Sequence, residues 1–263
     1  MTAQESPVTE QAQAPVDTHA TSGTGRHVRF RVSRFKQGDQ RPHLQDYDVE
    51  IAPATTVLDA LTAIRRDQDP TLLLRHSCFH ASCGTCGMRV NDKEALACVT
   101  EVSDLDCDTV KVEPIANQRL VSDLVTDMID FYDRFRAIGR PLLRQSEAFP
   151  DSEVAPGVEE HRRYESCIEC GLCLSACPIV ASDGRYLGPA ALAAAQRTVA
   201  EPRGGDTFSV LRLTDDAQAA WRCHLSFECS EACPSNVDPA GAIMFIRRKL
   251  AGQRVNSIFG RRS

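Results

Sequence analysis

The middle of the chain reads Cys167-Ile-Glu-Cys170-Gly-Leu-Cys173-Leu-Ser-Ala-Cys177-Pro178. In a C-x2-C-x2-C-x3-C-P run, three thiolates on one short turn can grip three corners of an Fe4S4 cube. The fourth leaves at an angle that takes it to a neighbouring cluster. Such a run implies a second cysteine group, and Cys223-His-Leu-Ser-Phe-Glu-Cys229-Ser-Glu-Ala-Cys233-Pro234 supplies it. Laid on the first run, this second group needs a cysteine at position 226, where the chain has Ser226. Crossing the last cysteines assigns Cys167, Cys170, Cys173 and Cys233 to a [4Fe-4S] cluster. It leaves Cys177, Cys223 and Cys229 for a centre with three protein sulfurs, most simply [3Fe-4S]. Two alternatives stand beside this reading: a Ser226 alkoxide that completes a four-iron cube after losing a weakly acidic proton, and structural zinc.

A third constellation precedes these. Cys78-Phe-His-Ala-Ser-Cys83-Gly-Thr-Cys86 is followed, after eleven intervening residues, by Cys98. C-x4-C-x2-C with a distant cysteine is the plant-type [2Fe-2S] spacing. A flat Fe2S2 rhomb takes two thiolates per iron, so a loop can wrap one side while a strand residue supplies the last. Gly84 and Gly87 let backbone N–H groups turn toward the sulfurs, which stabilises the reduced cluster. Zinc would also use four cysteines, but zinc ribbons prefer two short knuckles to a three-cysteine loop. His76 and His80 could ligate iron in a Rieske-like way, yet four cysteines already fill the site, and both histidines read as loop residues. Cys107, in Asp106-Cys107-Asp108, is left over and reads as a half-buried, unreactive thiol.

These cysteines need scaffolding. Residues 1–25 are rich in Ala, Gln, Thr, Ser and Pro without apolar periodicity, and read as a disordered tail. Val28, Phe30 and Val32 alternate with basic residues, as do Tyr47, Val49 and Ile51 with polar ones, and predict two half-buried strands. A helix is expected from Thr56, with Val57, Leu58, Leu61 and Ile64 on one face and Asp69-Pro70 beyond its end. Short strands follow near 88–90 and 110–112, separated by the turn Asn91-Asp92. Residues 121–135 read as an amphipathic helix, and the prolines at 141, 150 and 156 mark a linker over 141–160. Later helices are expected over 190–199, with Pro189 near its start, and from Asp238-Pro239 to about Leu250. The fold class expected is α+β. A β-grasp, plant-type ferredoxin domain covers 26–118, a helix and linker cover 119–160, and an all-α, bacterial-ferredoxin-like domain covers 161–263.

With 263 residues the chain has room for two ordinary domains. A net charge of -6 and 6% aromatics imply no large basic surface, so nucleic acid is not an expected partner. The polar start, Met1-Thr-Ala-Gln-Glu-Ser-Pro7, lacks the apolar core of a signal peptide. No run of about 18 apolar residues exists to span a bilayer. Cysteines in a reducing compartment are expected to be metal ligands rather than disulfides. After Pro239 come Arg247, Arg248, Lys249, Arg254, Arg261 and Arg262 with no acidic residue. That is either a solvated helix face or a surface near anionic lipid or a membrane-bound partner.

The chain resembles the iron–sulfur subunits of succinate dehydrogenase and fumarate reductase. The matching pieces span about residues 27–250. They include Thr56-Val-Leu-Asp-Ala-Leu61, Leu96-Ala-Cys98, Val121-Ser-Asp-Leu-Val125, the three cysteine groups, Leu187-Gly-Pro-Ala-Ala-Leu192 and Val237-Asp-Pro239. The resemblance implies a relay: FAD in a separate flavoprotein subunit, then [2Fe-2S], [4Fe-4S] and [3Fe-4S], then quinone at membrane anchor subunits. It implies a peripheral position on the cytoplasmic face of the inner membrane, held by those anchors. It also implies that the quinone vicinity includes Pro178, His224 and Ser226. Imidazole exchanges protons near neutral pH, so His224 is expected to orient or protonate bound quinone. No catalytic residue for the dicarboxylate is expected in this chain, which has no Gly-rich flavin-binding loop.

The sequence departs from the family at several places. Phe79 and Ala81 replace the usual Arg and Gly of the first loop, and Ser235 stands where many members have Lys. Ser182 stands where many dehydrogenase-type members have a quinone-site Trp, which favours a fumarate-reductase-like or menaquinone-using enzyme. The rivals are a subunit serving another flavin-dependent oxidoreductase and a protein whose clusters only brace the fold. The plant-type loop argues against the first of these.

Overall fold

In the computed structural model, residues 25–138, 164–200 and 207–259 are described. The linker expected over 141–160 lies outside them, as does the expected tail except for Gly25. Alternation builds the first half as expected. Strands β1 (Arg26–Arg34) and β2 (His43–Ile51) pair antiparallel, with Phe30 opposite Tyr47 and Val28 opposite Val49. Strand β3 (Gly87–Val90) pairs with β4 (Lys93–Leu96), and β5 (Thr109–Glu113) runs parallel to β1 and antiparallel to β3. The sheet order is β2-β1-β5-β3-β4. Helix α1 (Val57–Asp67) starts at a reciprocal cap: Asp59 N–H donates to Thr56 Oγ1 at 3.1 Å, and Thr56 N–H donates to Asp59 Oδ2 at 3.0 Å. Its Leu58, Leu61 and Ile64 are fully buried in one core with Phe30, Val32, Val110 and Val112.

Residues 121–135 depart from the helix expected there. The chain first makes a small hairpin, β6 (Leu120–Ser122) and β7 (Val125–Thr126), and only then enters α2 (Ile129–Ile138). The cause is Asp123, fully buried at the turn with φ 46°. Its carboxylate accepts from Phe35 N at 3.0 Å, Leu73 N at 2.8 Å, Arg34 Nε at 3.1 Å and Lys36 Nζ at 2.6 Å. Four donors outweigh one turn of helix at a residue that favours turns.

The remainder of the described chain is helical. The elements are α3 (Leu172–Ser175), α4 (Pro178–Ser182), α5 (Pro189–Ala200), α6 (Thr207–Thr214), α7 (Glu228–Glu231) and α8 (Pro239–Phe259). Helix α8 runs past the end expected near Leu250. Ala191 and Ala195 of α5 and Ile246 and Leu250 of α8 share a buried cluster, small side chains against large ones. Among the described residues no helix is long and apolar enough to cross a membrane.

The two halves are joined by short polar contacts. Asn117 Nδ2 donates to the carbonyls of Leu174 and Ser175, both at 2.9 Å, and of Cys177 at 3.2 Å. Ser175 Oγ accepts from Ala116 N and donates to Glu94 Oε1 at 2.9 Å. These bonds cap α3 and fix the carbonyl of a candidate ligand.

Candidate metal centres

All twelve cysteines are free thiols. Those of the first group sit where sheet and loop meet. Cys86 immediately precedes β3, and Cys98 follows β4. Cys78 Sγ accepts three backbone N–H groups: His80 at 3.5 Å, Ser82 at 3.3 Å and Cys83 at 3.3 Å. Ala81 N–H donates to Cys98 Sγ at 3.3 Å. The first of these donors, from His80, does most to lower the Cys78 thiol, which falls to about 7. The buried Cys86 moves the other way, up to about 12.

The loop reaches this geometry through left-handed residues. Phe79 has φ 61° and Ala81 has φ 59°, the two positions where the family usually has Arg and Gly. A bulky side chain there costs about 1–2 kcal/mol, and the bend it accepts turns the following amides toward sulfur. Asp123 holds the approach to this loop at Leu73 N, as described above. Arg34, 5% exposed, donates to Asp123, to Asp69 and to Thr71 Oγ1 at 2.8 Å. Burial alone would raise the Asp69 and Asp123 carboxyls. The bonds from Thr71, Arg34 and Tyr47 hold Asp69 below the ordinary range, and those from Lys36, Phe35 N, Leu73 N and Arg34 do the same for Asp123.

The other two groups repeat one backbone shape. Glu169 and Gly171 have φ 54° and 78°, and the equivalent Leu225 and Phe227 have φ 57° and 67°. Helix α3 follows the first pair and α7 the second, in the same register. On this template Ser226 stands where Cys170 does. The cysteines of these two groups line two separate cavities. One is lined by Cys167, Cys170, Cys173 and Cys233, together with Phe131, Ala190 and Val237. The other is lined by Cys177, Cys223 and Cys229, together with Tyr186, His224 and Ser226. Pro178 lies on the outside, exposed, at the first position of α4. His224 and Ser226 reach the second cavity from an exposed stretch.

Burial governs these thiols. It pushes Cys170 up to about 11 and Cys229 up to about 12, and it raises Cys167, Cys173 and Cys177 as well. Donors to sulfur oppose this only in part: Leu225 N to Cys223 Sγ and Val237 N to Cys233 Sγ, both at 3.3 Å, and the backbone N–H groups of Glu169, Leu172, Ile179 and Val180 to Cys167, Cys170 and Cys177. Among the described residues no three His, Cys, Asp or Glu side chains gather to hold a single metal ion. The thiols stand around spaces instead, the arrangement a multi-iron centre with its own sulfides requires. Free thiols grouped as four, four and three therefore fit iron–sulfur clusters on the chemistry of the donor set.

The first and second centres are close neighbours. A Cβ on Gly84 would lie 2.7 Å from the Ile168 carbonyl oxygen and 2.9 Å from Cys170 Cβ, and its φ is +70°. Only glycine lets the two loops approach this closely. Cys107 is half-buried and accepts from Asn91 Nδ2 at 3.4 Å. Sequence reasoning missed Arg34, Asp123, Asn117 and Tyr186. Only Asp123 had any local signal, a turn-forming residue inside an apolar run.

Residues 29–133 match the 2Fe-2S iron-sulfur cluster binding domain, and residues 163–237 match the 4Fe-4S dicluster domain. The molecule is thus an iron–sulfur protein with a sheet-borne first site and a helical second unit. The fumarate reductase iron-sulfur subunit of Mycobacterium tuberculosis is 38% identical to it, over 81% of this chain and 89% of its own length. The succinate dehydrogenase iron-sulfur subunit of Coxiella burnetii is 34% identical, over 84% of this chain and 96% of its own. The chain belongs to the family of succinate dehydrogenase and fumarate reductase iron–sulfur subunits, and it is the electron-transfer subunit of such an oxidoreductase. Its fold is similar to a chain of the Mycobacterium smegmatis Sdh1 complex in the apo form, with TM-score 0.79 and 23% identity over 88% of this chain and 98% of that one.

Proposed function

We propose that the chain carries electrons between FAD in a flavoprotein subunit and quinone at membrane anchor subunits, through three centres held by eleven thiolates. Cys78, Cys83, Cys86 and Cys98 hold [2Fe-2S]. Cys167, Cys170, Cys173 and Cys233 hold [4Fe-4S], and Cys177, Cys223 and Cys229 hold [3Fe-4S]. Bound clusters supply one-electron carriers; the chain's residues set their spacing, burial and hydrogen bonding. The observation that carries the reading is the pair of cavities whose linings are the two crossed cysteine sets. Gly84 supports the order, because it seats the first loop against Cys170. Ser226, at the position of Cys170 in the repeat, supports the missing fourth thiolate. In this reading residues 26–118 form a β-grasp ferredoxin domain and residues 161–263 an all-α, bacterial-ferredoxin-like one. The chain sits at the cytoplasmic face of the inner membrane, held there by the anchors.

Quinone stands near Pro178, His224 and Ser226. The exposed His224 on the rim of the second cavity supports a role in orienting or protonating it. Electron paramagnetic resonance of the native complex tests the whole assignment. An oxidised three-iron signal and a reduced two-iron signal are expected. Ser226→Cys should convert the three-iron centre to a four-iron one and lower its potential. Retention of the three-iron signal in that variant would overturn the assignment at 226, and unchanged quinone kinetics in His224→Ala would remove the histidine from the quinone site.

A further inference from the structure

Tyr186 is 1% exposed, among the most deeply buried large side chains of the molecule. Among the described residues its hydroxyl has no partner at hydrogen-bond geometry. A buried hydroxyl left unpaired is destabilising, and such groups in folded proteins usually meet a ligand, an ion or a water. Tyr186 lines the cavity of Cys177, Cys223 and Cys229, and its hydroxyl faces those thiols, Cys223 foremost.

The ring has little freedom to look elsewhere. Arg134 grips the Tyr186 carbonyl with one guanidinium nitrogen and the Gly184 carbonyl with the other, the latter at 2.9 Å. Tyr186 N donates to Asp183 O at 3.1 Å, and Leu187 N donates to Gln218 O at 2.8 Å. The backbone on both sides is therefore tied, and the phenol is aimed by the fold. Other donors already reach this sulfur group: Leu225 N–H to Cys223 Sγ at 3.3 Å, the Ile179 and Val180 backbone N–H groups to Cys177, and the Ser230 side chain to Cys229; the phenol is a further donor lining the same cavity.

Resting on the proposed three-thiolate centre, we infer that the Tyr186 hydroxyl donates a hydrogen bond to a sulfur of that centre and raises its reduction potential above that of an otherwise identical site. Reduction adds one electron and makes the sulfurs more basic. A fixed donor at sulfur stabilises that form more than the oxidised one. No bond is made or broken, and the proton stays on the tyrosine oxygen. Tyr186 is thus a potential-setting residue of the last relay centre before the acceptor.

The test is a redox titration of the three-iron signal in the intact complex, wild type against Tyr186→Phe. The phenylalanine keeps the ring and removes the donor. The reduced-to-oxidised ratio of this centre at fixed poise should fall about tenfold, ~59 mV for a one-electron couple. The other two centres should not move. Pulsed measurements after exchange into D2O should find an exchangeable proton coupled to the wild-type centre and lose it in the variant. If Tyr186→Phe fails to assemble, 3-fluorotyrosine at 186 keeps the shape, donates more strongly and should raise the potential. An unchanged midpoint with the same exchangeable coupling overturns the inference. A wild-type complex with no three-iron signal overturns the cluster reading itself, and the inference with it.

Discussion

Cys78 of the sheet-borne loop and the buried thiols of the helical half are prepared in opposite ways. In the sheet-borne loop, Cys78 is only half-buried and collects three backbone donors, and its proton is loosened to about 7. In the helical half, burial holds five thiols on their protons, with Cys170 at about 11 and Cys229 at about 12. The first loop is framed by Asp123 and Arg34 through the chain's own hydrogen bonds. In the proposed reading, iron must displace the protons of the buried helical thiols to bind. Metal should then contribute more to the fold of the helical half than to that of the sheet.

The sharpest break of this contrast is Cys173→Ser. It should remove about four irons per chain and leave the helical half open to proteolysis, while the two-iron signal persists. Iron analysis and limited proteolysis read both effects. Next in size is Asp123→Ala, which strips a buried charge and four hydrogen bonds from the frame of the first loop. It should cost about 3–5 kcal/mol in denaturant unfolding of the sheet unit, and leave the other two centres loaded. Gly84→Val should cost about 1–3 kcal/mol and slow electron transfer between the first two centres, because the added carbons meet Ile168 and Cys170. Flash reduction of wild type and variant reads that rate.

The smallest effect is one of pH, and its acid arm is larger in the sheet. Asp69 and Asp123 are held below the ordinary carboxylate range, so their contribution is present above about pH 3.9 and is lost as pH falls through the lowered folded values. The raised thiols of the helical half, in protein stripped of metal, contribute fully below about pH 8.5 and lose that contribution as pH rises toward 11 or 12. Unfolding followed separately in each half across pH should show alkaline sensitivity in both, because Cys86 is raised to about 12 as well, and the stronger acid sensitivity in the sheet. Matching profiles would remove the distinction.

The chemistry was more legible than the scaffold. Cysteine spacing carries its own geometry, so the three groups stood out from a few short motifs, and the proposed crossing rests on the same spacing. Strict alternation marked β1 and β2, and a capping residue with an apolar face marked α1. The error fell at 121–135, where Val121, Leu124, Val125 and Met128 keep helical spacing and yet the first third is a hairpin. A long-range partner decided it: Phe35 N, Leu73 N and Arg34 meet Asp123 only once the sheet has formed. Tyr186 was silent for the same reason. Nothing in Arg185-Tyr186-Leu187 announces that the phenol will face Cys223, which lies on a separate segment of the chain.

The most direct measurement is iron and acid-labile sulfide in the native complex prepared without oxygen, alongside its resonance spectrum. The account predicts about nine irons per copy of this chain, divided among a two-iron, a three-iron and a four-iron centre. Zinc in place of iron, or the absence of labile sulfide, would contradict it.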